Sequence, residues 1–158
     1  SFDYVTASAA LHHMEDLEQC LGELYRVTKK GGALLLFGEP KKSILRPKWI
    51  RDIKERLSAE YDLKATGVRP VEQNPDVHIF DVNELKALLA KVGYTNIETT
   101  EFFALSSLYR DLLFFRIKNQ RVRRSLLEFF RFIDERLLFW LPKRFFALFN
   151  LVAWKAGD

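Results

Sequence analysis

The sequence carries one cysteine, Cys20, in 158 residues. A lone thiol cannot close an internal disulfide, so a stapled secreted scaffold is excluded and a reducing cytoplasm fits. Cys20 falls on an apolar helical stripe and reads as a small core residue rather than a nucleophile. Seven Gly and five Pro are too few for collagen-like or Pro-rich architecture. No glycine-rich turn opens a helix: the pair Gly31-Gly32 follows a helical pattern instead of preceding one. Adjacent His12 and His13 lack companion Cys or carboxylate spacing, so no metal site is expected. A membrane-spanning helix is also excluded, because Glu128, Arg131, Asp134, Glu135 and Arg136 interrupt the apolar C-terminal region. No signal-peptide pattern is visible.

What is present is an ordinary globular composition, 48% hydrophobic and 29% charged, over a length that suits one domain. Fourteen Phe make it unusually aromatic. Charge is uneven. Between Ala104 and Arg144 ten Lys and Arg face four acidic residues, whereas the remainder is slightly acidic.

Read along the chain, residues 2–8 form a buried strand and Ser8 to Met14 a loop, with Glu15 or Asp16 capping the next helix. Leu17, Cys20, Leu21, Leu24 and Val27 recur at helical spacing, and Gly31-Gly32 is expected to end that helix. The unbroken run Ala33–Phe37 predicts a strand covered on both faces, completing a βαβ unit. Pro47 suits the first helical position of a helix bearing Ile50, Ile53 and Leu57, and residues 65–79 read as a loop. Phe80, Asp81, Glu84 and Leu85 form a capping box with a hydrophobic staple, opening a helix that stops at Gly93. Residues 96–103 read as a strand. Segments 106–118 and 122–141 read as Phe- and Arg-rich helices ended by Pro142, and "FFALFNLVAWK" as a closing strand.

The order "SFDYVTASAALHHMED" then "LGELYRVTKKGGALLLFGEP" resembles the second half of class I S-adenosylmethionine-dependent methyltransferases of the small-molecule, type 11 kind. The pattern is carried by Phe2, Asp3, Val5, Leu11, His12, His13, Glu23, Arg26, Val27, Lys29, Gly31 and Gly32, with Lys30 where the family usually has proline. Residues 80–103 and 145–156 match more loosely, and 104–144 stands as an insertion. The resemblance implies an α/β fold: a partial Rossmann-like sheet, its fourth to seventh strands, with helices on both faces, an antiparallel last strand and the helical insertion before it. On that reading residues 1–158 are the C-terminal portion of one methyltransferase domain. The glycine-rich turn and the ribose-binding acid would lie upstream, and the opening strand would lack a neighbour on one side. A chain so truncated is expected to bind the cofactor poorly.

For the site, the resemblance implies S-adenosylmethionine as cofactor. Ligands of open α/β sheets bind beyond the carboxyl ends of strands near the switch point, where Ala7 to His13 fall. Small Ala7, Ser8 and Ala9 would let the cofactor's methionine part approach the backbone. His12 and His13 are candidate bases, and Glu39 a candidate in the substrate pocket. Asp3 is expected to satisfy local backbone groups, and His78 has no assigned role. The acceptor would be a small or lipid-like molecule. The insertion 104–144 could bind substrate or lie on a membrane surface, making the protein peripheral, whereas nucleic acid fits its clustered aromatics badly. The rival readings are a non-catalytic membrane- or partner-binding module, and the rear half of a nicotinamide-dependent enzyme. The latter leaves the "LHH" loop and "RVTKKGG" turn unexplained.

Overall fold

A computed structural model describes residues 1–67 and 78–157. In chain order the elements are β1 (Phe2–Ser8), α1 (Leu17–Val27), β2 (Thr28–Pro40), α2 (Lys48–Thr66), α3 (Val82–Val92), β3 (Tyr94–Phe102), α4 (Leu105–Leu112), α5 (Gln120–Arg136) and β4 (Leu148–Lys155). Two single 3₁₀ turns, Leu11–His13 and Lys143–Phe145, punctuate them. The described residues form two compact units: 1–41, 78–101 and 148–157 make one, and 42–67 and 102–147 the other.

The first unit is the α/β part. Its sheet runs in the order β1-β2-β4-β3, with β1 parallel to β2 and β4 antiparallel to β2. The β1–α1–β2 passage is thus the expected parallel crossover. Val5, Thr6 and Ala7 pair with Leu34, Leu35 and Leu36, which Ala153, Val152 and Leu151 flank on the other side. Leu34, Leu36, Phe149 and Leu151 bury one sheet face against Leu21 of α1 and Leu85 and Leu89 of α3. Each such side chain contributes on the order of 1.5–3 kcal/mol by leaving water.

Helix ends follow local chemistry. Asp16 caps α1 through Gln19 N–H, and Lys155 Nζ reaches the carbonyls of Tyr25 and Thr28 at its other end, 2.8 and 2.9 Å away. Asp81 caps α3 as the box predicts, and Gly93, at φ 117°, closes it. Pro47 is the N-cap of α2 rather than its first helical residue. α2 also runs through Thr66 into the stretch expected to be loop, and residues 68–77 of that stretch lie outside the described ones.

Two expectations about the opening region need correction. Gly31 and Gly32 do not end α1, which stops at Thr28; they lie inside β2 as a bulge. The register jumps there from Phe2–Thr28 to Tyr4–Ala33, so two steps on β1 face five on β2. Gly31 supplies the positive φ of 74°, and Gly32 admits a close crossing: a Cβ on it would sit 2.7 Å from the Asp3 carbonyl oxygen. Asp3 itself pairs with Lys29, whose Nζ lies 3.0 Å from both carboxylate oxygens and holds that carboxyl below its usual range. The motif residues Asp3, Lys29 and Gly32 therefore serve one purpose, the start of the β1–β2 pairing. Nor is β1 the buried strand expected: Phe2 and Tyr4 are exposed, and among the described residues β1 pairs on one side alone. Separately, β2, expected to be covered on both faces, is fully covered on one, with Phe37 exposed on the other.

The second unit is helical. The Asp134 carboxylate, on α5, accepts hydrogen bonds from the backbone N–H groups of Ala104, Leu105 and Ser106 and from the Ser106 hydroxyl, capping α4 from 28–30 residues away. Arg46 and Asp111 make a buried ion pair. Tyr109 stacks on Phe130 and donates its hydroxyl to the Arg123 carbonyl at 3.0 Å. α2 therefore packs with the 104–144 segment, beyond the boundaries read from sequence. α5 ends at Arg136, short of Pro142, so Trp140 and Leu141 fall outside the helix expected over 122–141, and Trp140 is exposed.

Candidate functional site

The carboxyl ends of β1 and β2 lie side by side, with Ser8 opposite Phe37. Beyond Ser8 the chain turns at Ala9, which has φ 46° and donates its N–H to the Phe37 carbonyl at 2.8 Å. An alanine held in the left-handed region costs about 1 kcal/mol or more, and such strain concentrates where a chain must present its backbone. Ser8 and Ala9 are exposed and Ala7 half-buried, so no large side chain shields this turn.

The following 3₁₀ turn, Leu11–His13, is organised by Glu39 at the end of β2. Glu39 is fully buried. One carboxylate oxygen accepts the N–H groups of Ala10 and Leu11, both at 3.0 Å. The other accepts the His12 N–H at 3.2 Å and lies 2.8 Å from His12 Nδ1. A carboxylate only accepts, so Nδ1 carries the proton in this bond. Glu39 is therefore shut away from water: it takes up three backbone donors of the turn and fixes the His12 ring.

His12 is buried, 7% exposed, whereas His13 is exposed, their ring centroids 3.9 Å apart. His78, given no role from sequence, braces the same turn. Its N–H donates to the His12 carbonyl at 3.1 Å, and its Nε2 lies 2.8 Å from the Met14 carbonyl oxygen. Two residues later Phe80 donates its N–H to the Pro40 carbonyl at 3.1 Å. Lys41, bridged to Phe80, forms a buried ion pair with Glu101 of β3. The structure thus brings Ala7, Ser8, Ala9, His12, His13 and Glu39 to one end of the sheet. Sequence reasoning missed the bracing by His78 and the Lys41–Glu101 pair. No sequence signal could have found either, since both depend on which loop lies beside which strand end.

The geometry defines a class: a Rossmann-like α/β sheet with an antiparallel strand and a small-residue turn at the carboxyl end of its edge strand. Residues 1–36 match the family pattern described as "Methyltransferase domain". A demethylmenaquinone methyltransferase of Streptomyces griseus is 33% identical over 110 residues, covering 61% of this chain and 44% of that protein. The enzyme of the same name from Streptomyces avermitilis is 32% identical over 91 residues, covering 55% of this chain and 36% of that protein. Among solved structures, a SAM-dependent methyltransferase of Thermotoga maritima superposes with a TM-score of 0.54 at 18% identity, over 98% of this chain and 56% of that one. Phosphoethanolamine N-methyltransferase 2 of Haemonchus contortus, in complex with S-adenosyl-L-methionine, gives 0.51 at 17% identity, over 99% of this chain and 34% of that one. The chain is thus similar to S-adenosylmethionine-dependent methyltransferases and shares the Rossmann-like fold of the solved ones. It spans less than half the length of the curated relatives it matches.

Proposed function

We propose that this chain corresponds to the fourth to seventh strands of a methyltransferase domain, and that the whole protein transfers a methyl group from S-adenosylmethionine to a small, lipid-like acceptor. The observation that carries the reading is the Ala7–His13 turn, strained at Ala9, small at Ala7–Ala10, and held by a buried glutamate beyond the carboxyl ends of two parallel strands. Support for the acceptor class comes from the two related demethylmenaquinone methyltransferases. The segment 104–144 is the added part that distinguishes this chain within the proposed domain.

The residues present fit the cofactor. Ala7, Ser8 and Ala9 would hold its methionine part, because only small side chains allow a ligand to reach the backbone there. When bound, S-adenosylmethionine supplies a methyl group already activated on a sulfonium, leaving as S-adenosylhomocysteine. The protein's tasks are then alignment and exclusion of water. Glu39 fixes the turn, and with it the position of His12; both are positioning residues. His13, exposed beside them, takes the proton released by a hydroxyl acceptor, a task suited to imidazole near neutral pH.

The test is transfer of label from methyl-tritiated S-adenosylmethionine to the quinol form of demethylmenaquinone, kept reduced by dithionite, by the protein as its gene encodes it. Labelled quinol is expected, with His13→Ala lowering kcat by about 10²-fold or more. No transfer to quinol, phenol or amine acceptors, from protein shown to be folded, overturns the reading.

A further inference from the structure

We propose that the outward face of α5, with the Leu137–Trp140 segment after it, docks on an anionic lipid bilayer. At about 100° per residue, Val122, Phe129, Phe132 and Arg136 share one face of α5, while Phe130 and Asp134 lie on another. The second face is engaged within its unit, where Asp134 is buried on the α4 backbone and Phe130 stacks on Tyr109. The first is bare: Phe129 and Phe132 are 56% and 57% exposed. Directly beyond the helix, Leu137, Phe139 and Trp140 are 56%, 73% and 68% exposed. Five large apolar side chains left in water along twelve residues mark a contact surface rather than scattered exposure.

The charges decide what it contacts. The exposed acids of the helix, Glu128 and Glu135, both engage Arg131, at 3.4 and 3.9 Å. Arg121, Arg124, Arg136 and Arg144 are exposed along the same stretch. Aromatic and aliphatic side chains set among arginines match the acyl boundary and phosphate level of an anionic leaflet. Arginine stems can lie along the apolar surface while their heads reach the phosphates. A second copy would bring the same positive charge to the same face and repel it. A nucleic acid would leave Val122 and Leu137 against a polar backbone. Among the described residues no helix is long and apolar enough to cross a membrane, so the contact is peripheral. The inference extends the lipid-like acceptor reading above, but its test measures binding and not methyl transfer, so either can fail alone.

The experiment is co-sedimentation with phosphatidylcholine vesicles, with and without phosphatidylglycerol, alongside tryptophan emission. Partitioning onto the phosphatidylglycerol vesicles should be about tenfold or more stronger, and should weaken as salt is raised. Emission should shift to the blue, and Trp140→Phe should remove most of that shift while keeping binding. The double substitution Phe139→Ser with Trp140→Ser alters exposed side chains, so circular dichroism should be unchanged while binding falls about tenfold or more. Equal binding to both vesicle types overturns the proposal, as does wild-type binding by the double variant. So does a dimer, seen by sedimentation velocity without vesicles, in which Trp140 is already shielded.

Discussion

Replacing Glu39 with glutamine preserves shape and changes one oxygen into an amide nitrogen, which makes it a sharp probe of the turn. In the wild-type structure both carboxylate oxygens accept: one from Ala10 and Leu11, the other from the His12 backbone and ring. A glutamine can keep one side. If its oxygen serves Ala10 and Leu11, its NH₂ group faces the His12 N–H, donor against donor. His12 can answer by moving its ring proton to Nε2, but its backbone N–H stays orphaned. Turning the amide over orphans two donors instead. One buried donor without a partner costs about 1–3 kcal/mol, and the charge-assisted bonds become neutral ones, so a total of about 2–3 kcal/mol is expected. Glu39→Ala removes every acceptor and should cost about 3–5 kcal/mol. Urea unfolding read by hydrogen exchange at Leu34 and Leu36, in the core of the same unit, should show a midpoint lowered by about 1 M or more for Glu39→Gln. The amides of Leu11 and His12 should lose protection first. A glutamine variant within about 0.5 kcal/mol of wild type, with those amides still protected, would refute the reasoning.

The other predictions concern separate features. Gly32→Ala places a Cβ 2.7 Å from the Asp3 carbonyl oxygen and 3.2 Å from that of Phe2, backbone atoms that cannot step aside. It should cost about 3 kcal/mol in thermal unfolding. Gly31→Ala, with open space but φ 74°, should cost only about 1–2 kcal/mol; a larger loss at Gly31 would contradict the bulge geometry. Asp134→Asn should destabilise the helical unit by about 2 kcal/mol, because an amide cannot accept all the donors at the start of α4; exchange at Ser106 would show it. Burial raises the Tyr94 hydroxyl above its ordinary value, with the Thr28 hydroxyl 3.2 Å away partly opposing the shift. The unfolded chain loses that proton first, so the contribution of Tyr94 to stability should be constant below about pH 10 and fall as pH rises toward the folded-state value. Tyr94→Phe should flatten that fall in alkaline melts, and an unchanged slope would argue against it.

Much of the first unit was legible because its signals are local. Asp81, Glu84 and Gly93 mark their helix whatever lies around it, and the unbroken apolar run Ala33–Phe37 marks a strand, although the cover expected on both its faces is complete on one alone, Phe37 being exposed. The glycine pair misled because a helix stop and a β-bulge use the same conformational freedom. What separates them here is the crossing of the Asp3 backbone over Gly32, a contact between segments. The setting of Glu39 was hidden for the same reason: only the folded turn supplies the three backbone donors that bury its carboxylate. The helical unit was least legible. Its organising groups, Asp134 on the α4 backbone and the Arg46–Asp111 pair, join residues 28 to 65 positions apart. Its apolar residues point both inward and outward, so periodicity alone does not say which face of α5 is packed.

The most direct measurement is where S-adenosylmethionine lies. Ultraviolet cross-linking of the methyl-tritiated cofactor to the protein as its gene encodes it, followed by peptide mapping, should label the peptide containing Ala7–His13. Excess S-adenosylhomocysteine should compete that label away. Labelling that is specific and competed, yet absent from that peptide, would contradict the assignment of the turn beyond β1 as the cofactor's place.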